Sequence, residues 1–156
     1  MERIYYDYDT FTRDLKALAE KSEGGYDALV AIARGGMTMA HMLGEYWDIR
    51  PVFVINAIGY DATEKRDRVH LFNVPDLEGY KKVLIVDDIA DSGETLEAVR
   101  QTLEEKNPGI RFQSATLFYK PLKSCVEPDF WVRSIGKEWI DFFWSDDLKN
   151  LDDVEE

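Results

Sequence analysis

Two adjacent carboxylates, Asp87 and Asp88, precede a short polar segment, Asp91-Ser92-Gly93-Glu94-Thr95. The segment follows a strongly apolar run and leads into a helical pattern. Backbone N–H groups at such a strand-to-helix turn point toward one anion. The two hydroxyl side chains of the segment add donors, and its glycine lets the backbone approach a ligand closely. The spacing therefore predicts a phosphate-binding loop.

Carboxylates beside a phosphate would ordinarily repel it, so their presence here needs a chemical explanation. Asp87 and Asp88 make chemical sense if they contact sugar hydroxyls or a Mg²⁺ ion that itself binds phosphate oxygens. A phosphate, vicinal hydroxyls and a metal ion on one ligand describe a phosphorylated ribose. We assign Asp88 to the metal and Asp87 to the ribose hydroxyls. The alternative is a pair of solvated charges at the end of a strand.

Apolar patterning predicts the elements that position these residues. The run at 82–87 predicts the strand that delivers the acidic pair, and a helix begins at about Glu94. The run at 27–33 predicts a second buried strand, closed by the turn Arg34-Gly35-Gly36. The other predicted elements are a helix capped by Asp9 or Thr10, a helix over Met37–Trp47, strands over 51–60, 111–119 and 130–135, and a mobile loop over 61–70.

Strands that alternate with helices predict an α/β fold, with a central, mostly parallel sheet flanked by helices. Ligands bind such sheets at the carboxyl ends of the strands. Arg34 follows the first buried strand, the acidic pair follows the central one at 82–87, and Lys120 follows the strand after that. These polar side chains are expected to converge on one site.

The segment from Val83 to Leu96 resembles the signature by which type I phosphoribosyltransferases bind phosphoribosyl pyrophosphate (PRPP). The whole chain most resembles the bacterial xanthine-guanine (6-oxopurine) members. The resemblance implies a small C-terminal hood, at about 120–148, over the base. It also implies that PRPP is bound by Arg34, Gly35, Arg66, Asp87, Asp88, Ile89, Ala90, Asp91, Ser92, Gly93, Glu94 and Thr95.

The same resemblance implies a purine pocket. Lys120, in Phe118-Tyr119-Lys120-Pro121, would bind the 6-oxo group, and Asp91 would lie beside N7 as proton acceptor or orienting partner. Trp139 and Ile140 would lie in the hood, with Ile140 packed on the purine ring. Arg68 competes with Arg66 for the contact from the loop.

The implied reaction joins a 6-oxopurine (guanine, xanthine or hypoxanthine) to the ribose of Mg-PRPP and releases pyrophosphate. The ribosyl carbon passes through an oxocarbenium-like state, so the site must stabilise charge on the leaving group and exclude water. The implied cofactor is Mg²⁺, and the implied catalytic residues are Asp91, Asp87, Asp88 and Arg34.

Two alternatives share the predicted PRPP site. One is a transferase with another acceptor, such as orotate or uracil, against which Lys120 and the Trp139-Ile140 pair argue. The other is a PRPP-sensing regulator that binds RNA or DNA, which would need a basic face or an added module. A response-regulator receiver domain is excluded, because in that class the acidic pair follows the first strand.

His41 and Glu45 lie four residues apart on a predicted helix and could contact a metal ion. Two potential ligands alone do not predict a metal site.

Length and charge limit the function further. The chain has 156 residues and a net charge of −12, which predicts a single domain over 1–156 and argues against nucleic acid as a partner. Residues 145–156 form an acidic tail. A lone Cys125, no readable signal peptide and no apolar run long enough for a membrane span favour a cytoplasmic location. The resemblance implies a homo-oligomer, either a tetramer or a dimer.

Overall fold

The computed structural model describes residues 1–59 and 69–152. Arg66, Arg68 and most of the predicted loop lie outside these residues, as does the end of the acidic tail. The elements are β1 (Arg3–Tyr6), α1 (Tyr8–Lys21), β2 (Ala28–Ala33), α2 (Met37–Trp47), β3 (Val52–Gly59), β4 (Val69–Phe72), β5 (Lys82–Ala90), α3 (Glu94–Lys106), β6 (Arg111–Tyr119), β7 (Phe130–Ser134), β8 (Trp139–Phe142) and α4 (Phe143–Asp146).

A six-stranded sheet with the order β4-β3-β2-β5-β6-β7 forms the centre of the fold. Its strands pair in parallel, except for β4, which runs antiparallel to β3 at one edge. Helix α2 connects β2 to β3 and helix α3 connects β5 to β6, whereas an irregular segment connects β6 to β7. The predicted α/β fold with a mostly parallel sheet is confirmed.

Side chains of the central strands alternate between two apolar cores, one on each face of the sheet. In β5, Leu84 and Val86 enter one core, whereas Val83 and Ile85 enter the other. Helices α1 and α2 cover the first core and α3 covers the second. The helical residues buried there are Phe11, Leu15, Leu18, Met39 and Leu43 on the first face, and Leu96, Val99 and Leu103 on the second.

A separate two-stranded parallel ribbon joins the N-terminus to the predicted hood. Strand β1 pairs with β8, with Ile4 opposite Ile140. The Arg3 guanidinium reaches the Asp141 carboxylate at 2.6 and 3.0 Å. The β1 segment was not predicted from the sequence, because four residues with little alternation form a strand only when a distant partner is present.

A buried polar cluster ties this ribbon to the main sheet. The Tyr6 hydroxyl donates to Asp14, and the Arg133 guanidinium donates to the same carboxylate at 2.6 Å. The Tyr6 ring also packs edge-on against Phe118 of β6 and Phe142 of β8. The N-terminal strand, helix α1, strand β7 and the hood therefore meet at Asp14 and Tyr6.

Three predicted boundaries are wrong. Helix α1 is capped by Asp7, whose Oδ1 accepts from the Thr10 N–H at 2.7 Å, and not by Asp9 or Thr10. Strand β5 continues past Asp87 to Ala90, because β6 pairs with it over that whole length. Residues 69 and 70, placed in the predicted loop, belong to β4.

Candidate active site

The acidic pair lies within β5, just beyond its buried apolar run. Asp87 and Asp88 are partly buried, and the Asp88 N–H donates to Oδ1 of Asp87 at 2.9 Å. Burial raises the pKa of Asp87 well above its usual range, and the negative charge of Asp88 raises it further. Burial also raises the pKa of Asp88. Both carboxyl groups therefore resist ionisation. A cation bound beside them would stabilise their ionised forms.

The turn between β2 and α2 lies directly against this pair. A Cβ atom on Gly35 would lie 2.3 Å from Oδ2 of Asp88, and one on Gly36 would lie 2.2 Å from the Val86 carbonyl oxygen. Only glycine fits at either position. The Ala33–Arg34 peptide bond is cis, and the Arg34 side chain is exposed at this turn. The structure thus brings Arg34 and Gly35 to the end of β5 that carries the acidic pair.

The predicted phosphate loop connects β5 to α3. Gly93 has a positive φ of 77° and precedes the first residue of α3, Glu94. The Ser92 hydroxyl accepts from the Glu94 N–H at 3.3 Å. Helix α3 spans thirteen residues, so its N-terminal N–H groups and its dipole point into the loop. Ile89 and Ala90, predicted to be loop residues, are instead paired with Phe118 and Tyr119 in the sheet.

The segment after β6 packs onto the same loop. A Cβ atom on Gly93 would lie 2.3 Å from Oγ of Ser124, and the Cys125 N–H donates to the Ser92 carbonyl at 2.8 Å. Residues 120–126 therefore pack against the phosphate loop and fix its position. Gly93 is required here both by its backbone conformation and by this close contact.

Asp91 is paired with two lysines. Nζ of Lys120 lies 3.2 Å from Oδ2, and Nζ of Lys123 lies 2.6 Å from Oδ1. Burial acts to raise the pKa of Asp91, but the contacts with Lys123 and Lys120 outweigh it and lower the pKa. Asp91 is therefore anionic at neutral pH. Its environment is the opposite of that around Asp87 and Asp88.

A cavity of about 180 Å³ lies beside this pair. It is lined by all four residues that the sequence predicted for the base, together with Asp88. Lys120 is buried and aims its ammonium group here, whereas Trp139 is about half exposed. The lining residues are Asp88, Ile89, Asp91, Lys120, Glu138, Trp139, Ile140 and Phe142.

Sequence reasoning missed Lys123 and Glu138. Lys123 comes three residues after Lys120 in an irregular segment, and Glu138 directly precedes Trp139. Neither belongs to a motif, and no periodicity applies in a loop. The only available signal was proximity to residues already assigned. Arg34, Glu94 and Thr95 lie on the neighbouring turns and do not line the cavity.

Other candidates lie elsewhere. His41 and Glu45 pair with each other at 3.8 Å on the exposed face of α2. Among residues 1–59 and 69–152, no group of three or more His, Cys, Asp or Glu side chains could hold a metal ion by itself. Mg²⁺ often takes only one or two carboxylates and completes its shell with substrate phosphates and water, so the Asp87-Asp88 pair fits it. No helix in the described ranges is long and apolar enough to cross a bilayer.

Comparison with known proteins identifies the family. The model of the phosphoribosyl transferase domain matches residues 5–149. A xanthine-guanine phosphoribosyltransferase from Roseobacter denitrificans is 33% identical, over 90% of this chain and 84% of its own. The chain belongs to the phosphoribosyltransferase family.

Solved structures narrow the class. The xanthine-guanine-hypoxanthine phosphoribosyltransferase of Helicobacter pylori is 41% identical, with a TM-score of 0.88 and coverage of 96% of this chain and 97% of that one. A purine phosphoribosyltransferase from Pyrococcus horikoshii is 31% identical, with a TM-score of 0.80 and coverage of 100% and 99%. The chain is a purine-salvage phosphoribosyltransferase of the type I fold.

The close contact at Gly35 yields a first prediction. Gly35→Ala would place a methyl group onto the Asp88 carboxylate and displace it, so kcat/KM for PRPP should fall about a hundredfold or more. Gly109→Ala is the matched control, because a Cβ atom there meets nothing within 4 Å. Initial rates, with circular dichroism to verify folding, make the comparison. Equal rates for the two variants would contradict the assigned role of this turn.

The raised pKa values yield a second prediction, on Asp88→Asn. Mg-dependent PRPP affinity should fall on the order of tenfold, because one charged oxygen ligand is lost. Without Mg²⁺ the variant should be more stable than wild type at pH 7, by on the order of 1 kcal/mol. A carboxyl whose pKa is raised on folding stabilises at low pH, and this contribution is lost as the pH rises. The gain should therefore vanish below about pH 4.

Calorimetric PRPP titration, and urea unfolding with a chelator at pH 7 and pH 4, provide the measurements. Asp152→Asn removes the same charge from an exposed position outside any helix and serves as the control. Unchanged PRPP affinity in the presence of Mg²⁺ would remove Asp88 from the metal site.

Proposed function

We propose that this enzyme transfers the phosphoribosyl group of Mg-PRPP to N9 of a 6-oxopurine and releases pyrophosphate. One observation carries the proposal: the 180 Å³ cavity holds the paired Lys120 and Asp91, flanked by Trp139 and Ile140, next to Asp88. A donor and an acceptor for the base thus adjoin the carboxylates proposed for the metal and the ribose. The relatives' names point to the same substrates.

The phosphate groups have two proposed sites, one after β2 and one after β5. The loop at 91–95, at the N-terminus of α3, binds the 5′-phosphate through backbone N–H groups and hydroxyls. The Arg34-Gly35 turn binds the pyrophosphate, with Arg66 or Arg68 as a further contact. Asp87 accepts hydrogen bonds from the ribose hydroxyls. The support is that the two turns follow β2 and β5, which are neighbouring parallel strands, and therefore lie at the same edge of the sheet.

Mg²⁺ is the proposed cofactor, held by Asp88 together with oxygens of PRPP. When bound, it neutralises charge on the pyrophosphate leaving group. Arg34 adds a fixed positive charge to the same group, and the nearby backbone N–H groups orient it. The carboxylates also face the ribose, where positive charge develops as the bond to pyrophosphate breaks.

The base is proposed to bind by its O6 and N7 edge. Lys120 donates to O6, and adenine is rejected because its 6-amino group would set donor against donor. The lowered pKa keeps Asp91 anionic, which suits an acceptor for a proton on N7. Ile140 is buried at the cavity wall and packs on the ring, and the exposed Trp139 covers its rim.

A homo-oligomer, a dimer or a tetramer, and a cytoplasmic location remain part of the proposal. A groove between α1 and α2 supports self-association. It has a volume of about 310 Å³, and Leu15, Ala19, Met42 and Tyr46 are among its lining residues. Apolar grooves of this kind mark contact surfaces.

The test of the function is pyrophosphate release from Mg-PRPP, with guanine, xanthine, hypoxanthine, adenine, orotate and uracil supplied separately. We expect release with 6-oxopurines and none with adenine, orotate or uracil. Release with orotate or uracil alone would establish another acceptor. If the protein binds PRPP but releases no pyrophosphate with any of the six bases, a PRPP sensor would be the better description.

Lys120→Met tests the base pocket. The change removes the donor to O6, and kcat/KM for guanine and hypoxanthine should fall by about ten- to a hundredfold, with little change in PRPP affinity. Lys123→Met is a matched control, because it also removes an ammonium from Asp91 but lies outside the cavity. Equal losses in both variants would mean that Lys120 acts only through Asp91. Retained rates in Lys120→Met would place the base elsewhere.

A further inference from the structure

We propose that Glu138 determines the choice among 6-oxopurines by favouring guanine over xanthine at the 2-position of the ring. The inference rests on the proposed function, since it assigns one more wall of the same cavity. Glu138 lies in the turn before β8 and lines the cavity together with Lys120 and Asp91.

The Glu138 carboxylate is held in place by the backbone. Its Oε2 accepts from the Gly136 N–H at 2.7 Å. Within residues 1–59 and 69–152, Oε1 takes part in no hydrogen bond or ion pair. The side chain is partly buried at the cavity wall. One oxygen is thus anchored, and the other is available to a ligand in the cavity.

The position of the 2-substituent follows from the geometry of the base. O6 and N7 lie on the same edge of a purine, and Lys120 and Asp91, 3.2 Å apart, form one wall of the cavity. A base that bonds to both must turn the edge that carries C2 away from them. Glu138 and Trp139 of the hood also line this cavity, and we infer that they face that edge.

The three bases differ at this edge in hydrogen bonding and charge. The 2-amino group of guanine is a donor and suits a carboxylate. The 2-oxo group of xanthine is an acceptor, and xanthine loses a ring proton near neutral pH, so the carboxylate repels it. Asp91 is compensated by Lys120 and Lys123, so Glu138 adds a negative charge without a cationic partner in the described residues to the cavity wall. Hypoxanthine has no group at C2 and is indifferent to Glu138.

Glu138→Gln tests this inference with little change in shape. The amide oxygen can still accept from Gly136, and the amide NH₂ can donate to a 2-oxo group. We expect kcat/KM for xanthine relative to guanine to rise about tenfold, while the value for hypoxanthine stays within about twofold of wild type. Glu20→Gln is the control, because it removes the same charge from an exposed position on α1.

Calorimetric titration with GMP and XMP gives a second readout that needs no turnover. The XMP-to-GMP ratio of dissociation constants should fall about tenfold in Glu138→Gln. An unchanged ratio in an active protein would overturn the role of Glu138 and leave the proposed function intact. A wild-type protein that binds neither nucleotide and uses no 6-oxopurine would overturn both. An equal fall in kcat/KM with all three bases would also overturn the inference, because it would mean that Glu138 only stabilises the turn.

Discussion

Burial of Asp87 and Asp88, two adjacent carboxylates at the end of an apolar run, is the constraint on which the rest of the site depends. Burial makes both groups resist ionisation, and the chain offers them no cationic partner among the described residues. The strand cannot release the pair, because β5 stays hydrogen-bonded to β6 as far as Ala90. The β2–α2 turn adds to the enclosure by packing against Asp88 with Gly35. The fold thus keeps two carboxyl groups close together in a partly buried place, where their ionised forms are unfavourable. A bound cation would stabilise those ionised forms.

Asp91, three residues after Asp88, lies in the opposite electrostatic environment. Two lysines from the segment after β6 compensate it, and its pKa is lowered rather than raised. One short stretch of chain therefore has a cation-poor part and a cation-rich part. A ligand with a metal-bound, highly charged end and a neutral, hydrogen-bonding ring matches this division. Neither part alone would distinguish such a ligand from a simple anion or a simple heterocycle.

The central strands and the convergence of Arg34, the acidic pair and Lys120 could be predicted from the sequence, because apolar runs and turn residues are local signals. The strand β1 could not, since the strand with which it pairs, β8, lies more than 130 residues away in the chain. The contacts of Lys123 and Glu138 were also invisible, because loop conformation decides where those side chains point. The α1 cap moved to Asp7 for a related reason: Asp7, Asp9 and Thr10 are all good caps, and Tyr6 packing into the aromatic core fixes where the helix begins.

The ribbon of β1 and β8 makes the base pocket a product of both ends of the chain. Arg3 and Asp141 meet across 138 positions of sequence, so the wall formed by Trp139 and Ile140 gains this support only after residue 141 has left the ribosome. The sheet from β4 to β6 can assemble earlier, since all of its strands precede residue 120. During synthesis, the acidic pair and the phosphate loop would thus be formed before the pocket for the base is complete.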